Sequence, residues 1–298
     1  MGLWATIESC VADLEGSPYK YEFIIVVNGE DETADHKKIK HYLGHAHLLR
    51  DWIQHDAPLS PPTARQLGTE SATGELLFFF DNHCLVRRDY FKRALQVMQN
   101  SEVDELHSTT AYYSGFELNY HYNLRLRTNF WGVGVLEWEG KDPYRIAMGG
   151  HGGFVVRRKV WEEVGGYWRG FTGYGGEETY FDLKMWLLGK QVWLAPKVVH
   201  AHYAGERPYP RHFSDDYYFN VLACANIIGG ERWMLDVFEC SRKQPRMRTK
   251  DGNPVVPLYD ILQNAYERSQ PHAEWLASKR LLSLDELLEQ FKHERIAC

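Results

Sequence analysis

The chain has 298 residues, enough for one large domain or two small ones around a sizeable core. Its 44% hydrophobic and 25% charged content is that of a globular protein, and a net charge of −6 leaves no global basic field aimed at nucleic acid or an anionic membrane. No run approaches ~18 consecutive apolar residues, which excludes a hydrophobic membrane-spanning helix.

The opening stretch MGLWATIESCVADLEG lacks the basic region and continuous apolar core of a signal peptide. Leu3, Ile7, Cys10, Val11 and Leu14 recur at helical spacing and predict a first helix. YEFIIVVNG, an apolar run stopped by Asn28-Gly29, reads as a buried parallel strand. ADHKKIKHYLG suits a short polar helix, and HDAPLSPPTARQ, with three prolines, reads as loop. PTARQLGTESATGE reads as a short helix leading into GELLFFFDNHC, an apolar strand that ends abruptly in Asp81, Asn82 and His83. RRDYFKRALQVMQN is helical, with Phe91, Ala94, Leu95 and Met98 on one side. Residues 105 to 140 alternate irregularly and are assigned to strands. GGFVVRR is a strand and KVWEEVGGY a short helix. GGEETYFDLKMWLLGK is a helix ending at Gly189, with Trp186 in its core, and QVWLAPKVVHAHY is extended. SDDYYFNVLACANIIGG is a helix with Ser214 as N-cap and Gly229-Gly230 as stop. A basic stretch, SRKQPRMRTK, precedes a last amphipathic helix that starts at the capping box Ser283–Glu286.

Alternating strands and helices in the first hundred or so residues predict a mostly parallel α/β sheet. Ligands of such sheets bind beyond the carboxyl ends of the strands. Asp81 and His83 stand at such an end and, two residues apart in extended chain, point the same way. An oxygen ligand with an imidazole suits Mn²⁺ or another intermediate divalent ion; the plainer reading of Asp81-Asn82 is a turn. Gly175 and Gly176 permit an unusual turn before Glu177 and Glu178. Carboxylates in a first helical turn are favoured by the dipole, and one of them is also placed to take a proton from a hydroxyl. Five scattered cysteines, Cys10, Cys84, Cys224, Cys240 and Cys298, argue against a disulfide framework and for a reducing compartment. Arg242, Lys243, Arg246, Arg248 and Lys250 would track phosphates or simply face solvent.

TARQLGTESATGELLFFFDNHC resembles the ARNxGxxxAxGexlxFlDxD stretch of GT-A fold glycosyltransferases through Arg65, Gly68, Ala72, Gly74, the apolar strand and Asp81. The D-x-H followed by Cys is closer still to polypeptide N-acetylgalactosaminyltransferases. GGFVVRRKVWEEVGGYWRGFTGYGGEETYFDLKMWLLGKQVWLAPKVVHAHY is similar to a second block of those enzymes and to the GWGGEDDD segment of β-1,4-galactosyltransferases. The resemblance implies an α/β GT-A, Rossmann-like fold, a mixed and mostly parallel sheet with flanking helices. It implies a GT-A-like domain over residues 1–230 and a basic segment with a helical C-terminal extension over 231–298. It implies transfer of a sugar from a nucleotide-sugar donor, UDP-linked, to an acceptor hydroxyl. Asp81, His83 and His202 would hold Mn²⁺ or Mg²⁺, with His200 as a substitute for His202. Asn28, Asp31, Arg65, Asn82, Gly152, Gly153 and Gly176 would bind the donor. Glu178 would be the base, and Glu177 would contact sugar or acceptor, while Trp168, Phe171 and Tyr174 would stack on a sugar or pack. Glu178 departs from the N-acetylgalactosaminyltransferase pattern, which leaves inversion and retention both open. The family's first strand has no counterpart, because the chain opens almost at the helix that should follow it. A cytosolic bacterial or viral enzyme acting on a glycan, lipid-linked sugar, protein or modified nucleic acid base is expected. The rival expectation is a degenerate member that binds a glycan or partner without turnover.

Overall fold

The computed structural model describes residues 2–29, 33–114, 117–121, 124–125, 134–135, 142–203, 214–243 and 256–291. Helix α1 (Leu3–Leu14) buries Ile7, Cys10 and Leu14, the predicted apolar stripe. Strand β1 (Phe23–Asn28), helix α2 (Ala34–His45) and strand β2 (Leu49–His55) follow, with β1 and β2 paired in parallel. Helix α3 (Pro61–Glu70) opens with Ser60 as N-cap and proline in its first turn. It packs on β1, where a Cβ on Gly68 would touch Val26 Cγ2 at 3.4 Å. Strand β3 (Leu76–Phe80) is the apolar run; the D-x-H residues then turn into the short β4 (Cys84–Val86) and helix α4 (Tyr90–Met98).

Strand β5 (Glu105–Ser114) is followed by β6 (Glu117–His121), β7 (Leu124–Arg125), β8 (Gly134–Val135) and β9 (Tyr144–Arg145). The remaining elements are β10 (Gly153–Arg157), α5 (Arg158–Val164), α6 (Glu177–Leu187), β11 (Val192–Tyr203), α7 (Asp215–Gly229), α8 (Glu231–Ser241), α9 (Leu258–Lys279) and α10 (Leu284–Gln290). The main sheet runs β3-β10-β5-β11-β4, with β6 on β5 and β9 on β11. It is mixed: β5 and β11 are parallel, while β10 and β4 pair antiparallel. Among the described residues β1 pairs only with β2 and β3 only with β10, so two apolar strands each keep an edge without a strand neighbour. Side chains span the break: Glu22 accepts from Thr73 N at 2.7 Å and from its hydroxyl at 2.8 Å. Helix α1 covers the far edge, where Thr6 and Ser9 hydroxyls accept from the backbone N–H groups of Cys84 and Val86.

The main core lies between β3, β10 and helices α5–α10; α1 and α4 form a second cluster with β3 and β10, and α1, α2 and β1 a third. Helices α8–α10 contribute Val237, Phe238, Ile261, Ala265, Leu276, Leu284 and Leu287 to the main core. The Ser283–Glu286 capping box and the Ser214 N-cap stand as the sequence predicts. The expected elements leave out β2, α8 and α9: β2 interleaves charges with apolar residues and α9 carries Pro271 in its interior, while α8 shows an apolar stripe of Met234, Val237 and Phe238. Cys10, Cys84 and Cys224 are free and buried, but Cys240 is disulfide-bonded, so the argument against disulfides fails at that residue. No described helix is long and apolar enough to cross a membrane.

Candidate metal centre and active site

Strand β3 ends at Phe80 and hands Asp81–His83 to the turn before β4, which pairs antiparallel with the last residues of β11. His202 lies opposite Cys84 in that ladder, so the register brings it beside the D-x-H turn. One ligand atom from each of Asp81, His83 and His202 falls within 4.8 Å of the others. His202 Nε2 is 3.1 Å from Asp81 Oδ2, and the His83 and His202 rings meet edge to face at 4.4 Å. His83 Nδ1 is 2.7 Å from Asn82 Oδ1, which fixes the ring from behind. Arg65 Nη2 donates to Asp81 Oδ1 at 2.9 Å and to the His151 carbonyl at 2.9 Å. Its side chain is turned inward at 12% exposure, not outward into a surface ion pair. Burial alone would raise the Asp81 carboxyl. The hydrogen bond from His202 and the charges of Arg65 and His202 outweigh it and hold the group below the ordinary carboxylate range. An ionised carboxylate between two imidazoles is a donor set for a divalent ion such as Mn²⁺.

His200 does not substitute for His202. It shares the inward face of β11, but its Nδ1 meets Ser108 Oγ at 2.8 Å and its Nε2 meets Thr110 Oγ1 at 3.4 Å. Gly152 and Gly153 make room for both rings: a Cβ on Gly152 would stand 2.8 Å from His202 Cδ2, and one on Gly153 2.7 Å from His200 Nδ1. Neither glycine has a positive φ, so the requirement is steric, not conformational.

Helix α6 starts at Gly176, whose φ of +81° and approach to Asn220 and Cys224 of α7 exclude a side chain. The two carboxylates then part. Glu177 is 4% exposed and folds back to accept from Gly175 N at 3.0 Å, so it completes its own turn. Glu178 Oε1 accepts from His151 N at 3.1 Å, and its Oε2 has no hydrogen-bond partner among the described residues. Burial, with the Glu177 charge beside it, pushes the Glu178 carboxyl up, to about 7. The path Asp81–Arg65–His151–Glu178 joins the metal centre to this carboxylate through three contacts.

Other predicted residues have different places. Asn28 is engaged with the loop before α3, donating to Leu59 O at 2.7 Å and accepting from Leu59 N. Asp31, Arg246, Arg248 and Lys250 lie outside the described residues. Arg242 pairs with Glu239 at 3.3 Å. Trp168 and Phe171 are packing residues, with Trp168 stacked on Phe219. His151 and Asp182 are partners that the sequence reading lacks: His151 Nε2 is 2.9 Å from Asp182 Oδ1. The i, i+4 spacing of Glu178 and Asp182 on one helix face, and an imidazole inside a glycine run, were the available signals.

Comparison with known proteins gives the family and the fold. Residues 17–215 match the family described as Glycosyltransferase like family 2. The "Inactive polypeptide N-acetylgalactosaminyltransferase-like protein 5" of Mus musculus is 27% identical over 194 residues, 59% of this chain and 44% of that protein. "N-acetylgalactosaminyltransferase 6" of Drosophila melanogaster is 27% identical over 168 residues, 50% of this chain and 24% of that protein. The chain thus spans less than half the length of these curated relatives. A crystal structure of GalNAc-T7 with UDP, GalNAc and Mn²⁺ superimposes with a TM-score of 0.70 at 15% identity, over 96% of this chain and 53% of that one. That likeness shows the fold to be GT-A.

Proposed function

Since the chain belongs to the Glycosyltransferase like family 2, we propose that it is a metal-dependent glycosyltransferase moving a sugar from a UDP-linked donor to an acceptor hydroxyl. The convergence of Asp81, His83 and His202 at the carboxyl ends of β3 and β11, with Arg65 locked on Asp81, carries this reading. Asp81, His83 and His202 would hold Mn²⁺ or Mg²⁺. The bound ion supplies positive charge to the diphosphate leaving group. Arg65 keeps Asp81 ionised and oriented. Asn82, whose side chain meets His83, would contact the ribose. The Gly149–Gly153 run lets the donor approach the backbone, and Gly176 sets the turn that presents Glu178. As the acceptor oxygen bonds to the anomeric carbon, the bond from that carbon to the diphosphate oxygen breaks and Glu178 takes the hydroxyl proton. Such a base goes with inversion; a retained anomeric configuration would remove that role from Glu178.

The acceptor is a glycan, a lipid-linked sugar, a protein or a modified nucleic acid base. A reducing, cytosolic setting is part of the proposal; Cys10, Cys84 and Cys224 are free and buried, while the disulfide at Cys240 speaks against it. A second reading, glycan or partner binding without turnover, is favoured by the relative named inactive and by the unaccompanied edges of β1 and β3. UDP release from a panel of UDP-sugars, with and without Mn²⁺, decides between them. Metal-dependent release from one donor, lost in His83→Ala, supports the transferase. A folded protein that binds no donor and releases no UDP refutes it.

A further inference from the structure

We propose that Glu105, His107, His151 and Asp182 form a second metal site, structural and selective for Zn²⁺, buried behind the glycine run. Three elements meet there. Strand β5 supplies Glu105 and His107, two residues apart and therefore on one face. The glycine run supplies His151, and α6 supplies Asp182. All four residues are at 0% exposure, and one ligating atom of each lies within 4.8 Å of all the others. His107 Nε2 is 3.3 Å from Glu105 Oε1 and 3.3 Å from Asp182 Oδ2, and His151 Nε2 is 2.9 Å from Asp182 Oδ1. Ligands at about 2.0–2.1 Å from a tetrahedral zinc stand roughly 3.3 Å apart.

The cluster does not satisfy itself. Among the described residues, neither oxygen of the buried Glu105 accepts a hydrogen bond, and His107 Nε2 donates none. The imidazole has two carboxylate oxygens at ion-pair distance but neither in the direction a hydrogen bond needs. A buried carboxylate left so is costly unless a cation sits against it. Lys184 is a buried cation on α6, but it donates to the Gly166 carbonyl and forms no ion pair with Glu105. The groups behind the four ligands are already set. His107 Nδ1 faces Gly150 O at 3.3 Å, His151 Nδ1 meets the Tyr167 hydroxyl at 2.6 Å, and Gly149 N donates to Asp182 Oδ2 at 2.5 Å. Such outer partners fix the tautomer and ring plane of metal-bound histidines. With Nδ1–H of His151 donated to Tyr167, its Nε2 is free to bind a metal.

Two neutral imidazoles and two carboxylates carry two negative charges, which balance those of a dication. Mixed nitrogen and oxygen donors in fourfold number suit Zn²⁺ better than Ca²⁺ or Mg²⁺, which take six or more oxygens. A closed, fully buried shell has no position for water, so the role is structural. It would clamp β5 and α6 to the run whose backbone holds Arg65 and Glu178.

The test is elemental analysis of the whole protein, purified without added metal and dialysed against EDTA. About one zinc per chain is expected in the wild type and in His83→Ala, and a loss of it in His107→Gln and in the near-isosteric Glu105→Gln. A strong chelator with heat should lower the Tm, and Zn²⁺ should restore it. Cobalt introduced into His83→Ala should give the intense visible absorption of a tetrahedral ion. Wild-type protein that is folded, supplied with Zn²⁺ and still metal-free after dialysis overturns the proposal. So does stoichiometric manganese in place of zinc, or zinc that leaves with His83→Ala and stays in Glu105→Gln. If the cluster variants do not fold, the wild-type zinc content and the cobalt spectrum decide alone.

Discussion

Replacing Gly152 by alanine tests whether the glycine run exists to admit His202, the candidate metal ligand. The backbone there is not left-handed, so the substitution carries no φ penalty. The new Cβ would stand 2.8 Å from His202 Cδ2 and 3.4 Å from His200 Nε2 and His202 Nε2. Ordinary carbon contacts are about 3.5–4.0 Å, so the His202 ring must retreat by roughly 0.7 Å or more. Overpacking of this size costs about 1–3 kcal/mol. Metal ligation tolerates only about ±0.2 Å, so Mn²⁺ affinity should fall about 10–100-fold, as when a supporting group is lost. Gly150→Ala is the matched control, since nothing stands within 4 Å of its Cβ and its φ is not positive. Urea denaturation measures the stability of each variant, and Mn²⁺ titration of UDP-sugar turnover measures the affinity. If Gly152→Ala binds Mn²⁺ like Gly150→Ala and unfolds at the same urea concentration, His202 does not occupy the place described, and the reasoning fails.

Glu178→Gln should abolish transfer while leaving donor affinity intact, and the wild-type kcat/KM should rise as pH climbs through about 7, because a base must be ionised to accept the proton. The same group affects stability. Its folded pKa lies above the ordinary 4.5, so its contribution is fully present below pH 4.5 and fades as pH rises toward 7; denaturation across that range should show a smaller slope in the variant. Arg65→Met removes the partner of Asp81 Oδ1 and of the His151 carbonyl. Breaking a fully buried pair costs about 3–5 kcal/mol; with Asp81 at 27% exposure, a loss of about 2 kcal/mol is expected, and an unchanged urea midpoint would contradict it. Ser283→Ala deletes the capping box of α10 and should destabilise by about 1 kcal/mol, read by thermal melting, without altering UDP release.

Features resting on local chemistry are legible in the residues. The apolar run of β3 announces a strand whose end presents Asp81 and His83, although the two sit in the turn after Phe80 and not in extended chain. Paired glycines before Glu177 and Glu178 mark a left-handed turn and a helix start. Ser214 and Ser283 announce their helices through the hydroxyl that caps them. Choices between equivalent residues are not legible, because they depend on what lies opposite. His200 and His202 share a face of β11, and the antiparallel ladder sets His200 opposite Val86 and His202 opposite Cys84. Ser108 and Thr110 then engage one imidazole, while Asp81 receives the other. Glu177 and Glu178 are neighbours in the chain, yet one folds into its own turn and the other reaches the glycine run. The buried group of Glu105, His107, His151 and Asp182 draws on three separate elements. By itself, the sequence determined most of the elements, the placing of Asp81 and His83 at the end of an apolar strand and the family resemblance, because each of these rests on patterns within a few residues. Only the tertiary structure decided which histidine joins Asp81, which glutamate faces the site and what lies beneath it, because those answers come from strand register and helix packing across residues far apart in the chain.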